Sequence, residues 1–402
     1  MRLWTGQTIE AVGGEFTTIA MQTLAIFLVK AGPMEIGILF ALQTLPVPIL
    51  GLFVGVWADR WRRRPIMIAA NLGRMLTLAW VPIAQWLGVL TIYQLYIVTT
   101  LFGIFTVFYD IANQSYLPSL IDRENLIEGN SKLQTTQSAA GVIGLPIATA
   151  LILLLGSNGI GAAKTFAVEA CGFLCSALLI FSIRKPEVNL VSKKRNFARE
   201  MKEGAEIVFN NRVLRNITAC TALLNLGSSI YFTVIYLFMY QQLNLSVAVV
   251  GTIWSVAAVG FVFGALLTPR VTGMFGMGSA LALSIVFQGV CLAFVPFAHE
   301  AILAVALLLM LSNVGIPIYN INQVSLRQAI TPDDIQGRMN ATVRVIIRGA
   351  IPLGFFIGGL LGNQYGIVLT LIIGAIISSL GVIFLIFKPV RTVRNIPRTS
   401  TI

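Results

Sequence analysis

Charged and catalytic side chains are scarce in this chain. Only 11% of its 402 residues are charged, against about 25% in typical soluble domains. There is one histidine, His299, and the four cysteines show no metal-ligand or disulfide spacing. The sequence has no phosphate-binding glycine loop, no HExxH motif and no Ser-His-Asp set, which argues against a membrane enzyme and an ATP-driven pump. We therefore expect no enzymatic activity, no cofactor and no metal.

Long uncharged apolar runs are abundant instead, since 56% of the residues are hydrophobic. A run of about 20 apolar residues crosses a bilayer as a helix. Twelve runs of this kind lie at roughly 3–29, 34–57, 65–88, 91–116, 129–156, 160–183, 212–240, 246–268, 277–297, 299–324, 337–361 and 364–388. The sequence therefore predicts an all-α integral membrane protein with twelve transmembrane helices. The first run is too long for a cleavable signal peptide and is interpreted as an uncleaved helix.

The distribution of the net charge of +12 predicts the orientation. With the N-terminus inside, nearly every Lys and Arg lies in a cytoplasmic loop or helix end, and the outer side keeps only Lys30 and Lys164. This pattern predicts that both termini are cytoplasmic, and it argues against a nucleic acid partner. Residues 184–215 and 388–398 are basic and would contact anionic lipid headgroups. We expect a multi-pass protein of the bacterial cytoplasmic membrane.

Two short segments recur at one offset. Residues 113–117 resemble residues 322–326, and Gly55 corresponds to Gly264, both 209 positions later. The matches fall at equivalent places in two six-helix halves. Such parallel repeats are related by an axis along the membrane normal, with a substrate site near the midplane between them.

The repeat predicts three parts of the chain. The first is an N-terminal six-helix bundle at 1–183, and the last is a C-terminal six-helix bundle with a basic cytoplasmic tail at 212–402. Between them, a cytoplasmic linker at 184–211 contains an amphipathic helix over residues 197–208, expected on the inner membrane surface.

Several motifs resemble the macrolide-efflux and enterobactin-exporter branch of the major facilitator superfamily. They are Trp4-Thr5-Gly6-Gln7, Asp59-Arg60 with Arg63-Arg64, Leu117-Pro118 before Glu124-Asn125-Leu126, Arg199-Glu200-Met201-Lys202-Glu203-Gly204, and Gly337-Arg338. Arg62 departs from the general superfamily loop, which has Gly there, and Thr268 stands in the second half where the first has Asp59.

The resemblance implies a function and a set of partners. It implies export of amphipathic small molecules of the drug, macrolide or siderophore class, by proton antiport with alternating access. The implied partners are the substrate, protons and membrane lipid, and the family expectation is a monomer. It also implies a conformational latch in the loop after Gly55, where Asp59 caps the cytoplasmic start of helix 11. Arg63 would pair with Asp110 and hold the outward-open state.

Three carboxylates inside predicted helices are candidates for proton coupling. Inserting a charge into a membrane helix costs about 2.5–3.5 kcal/mol, so each such residue is expected to have a structural or functional role. Glu10 and Glu15 lie on the polar face of helix 1, and Glu15 is near mid-depth. We interpret Glu15 as the main proton-coupling residue and Glu10 as its relay or a contact for cationic substrates. Glu169 in helix 6 is a further candidate. For all three, a structural ion pair or hydrogen bond is the alternative.

Two arginines, Arg344 and Arg348, share one face of helix 11 at a spacing of four residues. An arginine stays charged in practice, so Arg348 is expected to pair with an acid across the domain interface or with a substrate anion. Snorkelling to the inner headgroups is the alternative. The lone arginine of helix 3, Arg74, is a further membrane charge.

Aromatic and amide side chains suit a bulky amphipathic ligand. The candidate substrate contacts are Gln22, Asn225, Tyr231, Phe232, Tyr236, Trp254, Asn313, Tyr319 and Asn320. Packing or interface-belt roles are the alternative for most of them.

Other membrane functions stay open at this point. A lipid or lysolipid translocator, or a facilitator without proton coupling, shares the expected architecture. A non-transporting sensor is disfavoured by the mid-membrane carboxylates. A passive channel is disfavoured because parallel six-helix halves suit rocking motions rather than a fixed pore.

Overall fold

The computed structural model describes residues 2–58, 62–120, 126–156, 158–183 and 197–386. Every regular element in these ranges is helical. The first seven helices are α1 (Arg2–Phe27), α2 (Pro33–Thr44), α3 (Pro46–Ala58), α4 (Arg63–Trp86), α5 (Ile92–Leu120), α6 (Leu126–Leu155) and α7 (Asn158–Phe181).

The remaining helices begin with an amphipathic segment, α8 (Phe197–Asn210). The helix α9 (Arg212–Leu237) continues into a short π-helical segment, Phe238–Gln242. The others are α10 (Val247–Phe275), α11 (Met277–Phe294), α12 (Ile302–Ala329), α13 (Asp333–Tyr365), α14 (Ile367–Leu380) and α15 (Ile383–Ile386).

The number of membrane-crossing helices agrees with the prediction of twelve. Eleven stretches of the described residues are long and apolar enough to span a bilayer, from Pro33–Gly51 to Ile367–Ile386. The first helix, α1, adds one more, because its 26 residues reach across the hydrocarbon core at about 1.5 Å per residue. Its polar residues lower its hydropathy. The all-α membrane fold is confirmed.

By their contacts, the described residues fall into two compact units. The first comprises Met1–Lys194 with Met239–Ser255, and the second comprises Arg195–Phe238 with Val256–Ile402. The π-helical segment from Met239 onward belongs to the first unit, and its Tyr240 hydroxyl lies 3.0 Å from the Thr23 hydroxyl of α1. The predicted domain boundaries at 183 and 212 stay a prediction.

In the first unit, α1 packs along α6 and α7, and α4 packs between α5 and α7. Buried apolar side chains from α1, α4, α5 and α7 form one cluster, which includes Leu3, Met67, Tyr109, Tyr116 and Ile180. This packing brings the charged residues of three helices into one region.

In the second unit, α9 contacts both α13 and α14 closely. Glycines permit the approach: a Cβ placed on Gly227 would lie 2.6 Å from the Gly374 carbonyl oxygen. Small residues allow such close contact between membrane helices. A second cluster, around Leu281, Tyr319 and Leu326, forms the core beside them.

The linker helix α8 packs against α13 within the second unit. Its Val208 side chain is buried with Leu214, Met339 and Val343. The apolar face that the sequence assigns to lipid is thus in contact with protein.

Candidate functional site: a buried charge network in the first unit

The Glu10 carboxylate forms a buried ion pair with Arg74. Arg74 Nη2 donates to Glu10 Oε2 at 3.1 Å, and the Arg74 and Glu10 side chains are only 6% and 8% exposed. Asn71 Nδ2 donates to Glu10 Oε1 at 2.7 Å, and the Ser176 hydroxyl donates to the same oxygen. Glu10 therefore joins α1 to α4 and α7. Glu10 therefore makes the structural ion pair that the sequence analysis gives as the alternative to proton coupling. Its role as a proton relay stays a prediction.

Two aromatic rings lie close to the Arg74 guanidinium. Its central carbon lies 4.1 Å from the centroid of the Tyr109 ring and 4.4 Å from that of Phe173. Such cation–π contacts are favourable when the cation is desolvated. The sequence shows Arg74 as a membrane charge but assigns it no partner. Asn71, one turn earlier on the same helix, was the available signal for a polar site on this face of α4.

Glu169 on α7 is more deeply buried than Glu10, with 2% of its surface exposed. Its Oε1 accepts a hydrogen bond from the Thr17 hydroxyl of α1. Its Oε2 has no hydrogen-bond partner among the described residues. Glu169 is therefore a buried carboxyl group in which one of the two oxygens has no hydrogen-bond partner among the described residues.

A cavity of about 350 Å³ lies between α1 and α7 beside these two acids. Glu10 and Glu169 line it, and the rest of its wall is mainly apolar. Its apolar wall includes Ile9, Val12, Phe16, Val168 and Phe173. The cavity combines apolar walls with carboxylates, which suits an amphipathic ligand.

Glu15 is half-buried and lies on the side of α1 that faces α6. A Cβ placed on Gly144 of α6 would lie 2.6 Å from Glu15 Cγ, so the glycine makes room for this side chain. Within the part of the chain that the structure describes, the Glu15 carboxylate makes no hydrogen bond or ion pair. Glu10, Glu15 and Glu169 thus have three different environments.

The predicted latch lies partly outside the described residues. Asp59 is outside them, and Gly55 lies in α3. Arg63 is buried at the start of α4, and Asp110 is exposed on α5. Their pairing stays a prediction.

In the second unit, Arg344 and Arg348 are exposed on α13. Arg348 makes no ion pair or hydrogen bond with the residues described in the structure. The pairing predicted for Arg348 stays a prediction, as does the snorkelling alternative.

The predicted amide contacts mostly bond to neighbouring helices. Asn225 Nδ2 donates to the Ile347 carbonyl at 3.5 Å, and Asn313 Nδ2 donates to the Ala257 carbonyl at 3.0 Å. Asn320 is exposed. The geometry of Asn225 and Asn313 agrees with helix packing, and the ligand contact of Asn320 stays a prediction.

Most of the predicted aromatic contacts are buried. The Tyr231 hydroxyl donates to the Leu292 carbonyl at 3.5 Å, and the Tyr319 and Thr221 hydroxyls are 2.7 Å apart. Tyr236 is buried with its ring centroid 6.5 Å from that of Phe232. These contacts favour packing roles for the tyrosines.

The two remaining candidates belong to the first unit. Trp254 and Gln22 are both buried. The Gln22 amide oxygen has no hydrogen-bond partner in the described ranges.

Across those ranges, no group of three or more His, Cys, Asp or Glu side chains is arranged to hold a metal ion.

Several solved structures of membrane transporters share this arrangement of helices. A bacterial homologue of the iron transporter ferroportin, in the inward-facing state, superposes with a TM-score of 0.76 at 16% identity, over 96% of this chain and 98% of that chain. The nucleoside transporter NupG gives a TM-score of 0.74 at 12% identity, over 96% of this chain and 96% of its own. At these identities the likeness shows the fold alone.

The described helices form the fold of an integral, multi-pass membrane protein. The chain belongs to the Major Facilitator Superfamily, whose family model matches residues 3–343 and 220–401. An uncharacterized MFS-type transporter of Bacillus subtilis, YfiS, is 25% identical over 98% of this chain and 94% of its own. Macrolide efflux protein A of Streptococcus pyogenes is 25% identical over 91% of this chain and 89% of its own.

Proposed function

We propose that this protein exports amphipathic small molecules of the drug, macrolide or siderophore class by proton antiport with alternating access. Its place is the bacterial cytoplasmic membrane, with both termini in the cytoplasm, and it works as a monomer. Superfamily membership and the similarity to macrolide efflux protein A support export as the direction and amphipathic compounds as the substrates.

The observation that carries proton coupling is the environment of Glu15. A carboxylate fixed in an ion pair cannot easily take up and release a proton, whereas Glu15 has no such partner among the described residues. It lies on a membrane helix and is only half-buried, so water and protons reach it more readily than they reach Glu169. A proton carrier needs both properties, because it must be dry enough to hold a proton and open enough to exchange it.

The test is macrolide flux in proteoliposomes under an imposed pH gradient. Wild-type flux is expected to follow the gradient, and Glu15→Gln is expected to lose gradient-driven flux. Glu35→Gln is the matched control, because this acid bonds to the Gly32 amide at the start of α2, away from the polar face of α1. Gln can make the same capping contact.

The outcomes separate the proposed function from its alternative. Gradient-independent flux in both wild type and Glu15→Gln would favour a facilitator or a lipid translocator, and Glu15 would then be structural. Repeating the assay with a fluorescent lysolipid in place of the macrolide distinguishes a facilitator from a lipid translocator.

A further inference from the structure

We propose that Arg348 of α13 binds the carboxylate or phosphate group of an amphipathic anion that enters the membrane region of the second unit. Arg344, one helical turn closer to the start of α13, extends the site. This inference rests on the proposed function, because it names anionic amphiphiles as a chemical class of its substrate. It leaves proton coupling to Glu15 of the first unit.

The first argument is the depth of Arg348. Counted from Asp333, it is the sixteenth of the 33 residues of α13, so it lies at the middle of a helix long and apolar enough to span a bilayer. The hydrocarbon core is about 30 Å thick, so a residue near its middle is about 15 Å from either head-group region. An arginine side chain is shorter than this distance, so snorkelling does not account for Arg348.

The second argument is the scarcity of acids in this half of the sequence. After Glu206 the chain has three acids, Glu300, Asp333 and Asp334. Glu300 precedes α12 in the connection from α11. Asp333 and Asp334 begin α13, at least about 21 Å from Arg348 along the helix axis. Helices α9 to α14 therefore bring no acid of their own to the depth of Arg348.

The acids of the linker helix α8 do not neutralise Arg348 either. Glu203 Oε2 bonds to Arg338 Nη1 at 2.8 Å, and Glu206 is exposed. Arg348 makes no ion pair or hydrogen bond with the residues that the structure describes. An arginine stays charged, and a charge in a membrane region needs compensation. A bound anion supplies the missing negative charge.

The third argument is the open face of α13 that carries the two arginines. Gly337, Ala341, Arg344 and Arg348 follow one another at spacings of four, three and four residues, so they share one face of the helix. All four are exposed, and a Cβ on Gly337 would have no neighbouring atom within 4 Å. A guanidinium group presents a planar fork of N–H donors that matches a carboxylate or a phosphate.

The test is equilibrium binding of dansylamino-undecanoic acid, a fluorescent amphipathic carboxylate, to the full-length protein in phosphatidylcholine nanodiscs. The pH is held at about 8.5, where a carboxyl group is ionised. The matched probe is the methyl ester, which has the same skeleton without the charge, and empty nanodiscs give the lipid background. The wild type is expected to bind the acid at least tenfold more tightly than the ester. Equal affinities would overturn the proposal without any variant.

The variants separate the charge of Arg348 from its hydrogen-bonding fork. Arg348→Gln is expected to weaken acid binding at least tenfold and to leave ester binding unchanged. Arg348→Lys keeps the charge without the fork, so its affinity for the acid should fall between the two. Arg270→Gln is the matched control, because Arg270 is exposed on α10 of the same unit, and it should change neither probe. Undiminished acid binding by folded Arg348→Gln would contradict the proposal.

Anionic lipid is the other source of this chemistry. Adding phosphatidylglycerol to the nanodiscs is expected to leave acid binding by the wild type unchanged after correction for empty nanodiscs, because the depth of Arg348 keeps head groups away. Displacement of the acid by phosphatidylglycerol in the wild type would overturn the assignment of the site to a substrate.

The binding assay uses no pH gradient, so it fails independently of the proposed function. Acid binding that persists in Glu15→Gln while flux is lost supports both proposals. Proton-driven macrolide flux in a wild type that does not distinguish acid from ester would overturn the anion site alone. Acid-selective binding without gradient-driven flux would overturn proton coupling alone.

Discussion

At the scale of single residues, the defining feature is the buried pair of Glu10 and Arg74. Each side chain is less than one-tenth exposed, and each has further contacts that fix its position. Burying such a pair is costly, and replacing both partners by neutral groups is often tolerated, whereas removing one partner leaves an uncompensated charge.

We predict that Arg74→Gln destabilises the protein by about 3–5 kcal/mol, because Glu10 would then be buried without a counter-charge. The double variant Glu10→Gln/Arg74→Gln should recover most of that loss. Thermal unfolding of the purified protein in detergent, followed by size-exclusion fluorescence, measures both effects. Lys164→Gln is the control, because this lysine is exposed on α7. A single variant as stable as the wild type would contradict the prediction.

The partner of Arg74 was not predictable from the sequence. An arginine in a membrane helix implies a counter-charge, but Glu10, Glu15 and Glu169 satisfied that requirement equally well. Helical periodicity assigns residues to faces, and it does not say which helices are neighbours. The packing of α1 against α4 and α7 selects Glu10, and the same packing buries Glu169.

At the scale of helices, two sequence motifs of separate regions meet in one contact. Glu203-Gly204 in α8 lies against Arg338 in α13: Arg338 Nη1 donates to Glu203 Oε2 at 2.8 Å. The Arg338 and Glu203 side chains are 41% and 31% exposed, so this ion pair contributes only about 0.2–1 kcal/mol. The close fit of Gly204 is the stronger constraint, since a Cβ there would lie 2.6 Å from the Arg338 carbonyl oxygen.

We predict that Gly204→Ala separates α8 from α13 and destabilises the protein by about 1–3 kcal/mol, the usual cost of overpacking. Gly337→Ala is the matched control, because a Cβ on Gly337 has no neighbouring atom within 4 Å. Thermal unfolding of the two variants side by side is the measurement. Equal melting temperatures would show that α8 tolerates displacement.

The sequence predicted the existence of this linker helix but not what covers it. Its spacing of apolar residues is the same whether the apolar face meets lipid or protein. In the structure, Val208 and Gly204 are buried against α13 and α9. Whether the apolar face of α8 contacts protein or lipid depends on the length of the linker and on the shape of the second unit. The spacing of apolar residues along α8 specifies neither of them.

At the scale of the whole molecule, the fold was predictable because the bilayer imposes it. Each crossing needs about 20 apolar residues, and twelve runs of that length mark twelve helices. The basic residues then predict which ends are inside. The relative depths and neighbours of the helices need tertiary packing and were not predicted.

We predict that a green fluorescent protein fused after Ile402 fluoresces in a bacterial host, because the positive-inside pattern predicts a cytoplasmic location for this end of the chain. Alkaline phosphatase fused at the same place should be inactive. The control is alkaline phosphatase fused after Gly88, between α4 and α5, which should be active outside. An active phosphatase at the C-terminus would reverse the orientation.

The Glu10–Arg74 contact also restricts motion. It fastens α1 to α4, so separating these two helices would leave an unpaired charge in the membrane. The hydrogen bond from the Ser176 hydroxyl to Glu10 joins α7 to the same group. Glu10, Glu15 and Glu169 should then keep constant spacing throughout a transport cycle and move as one rigid group. Spin labels at exposed positions of α1 and α7 would report a single, narrow distance distribution whatever the substrate or pH.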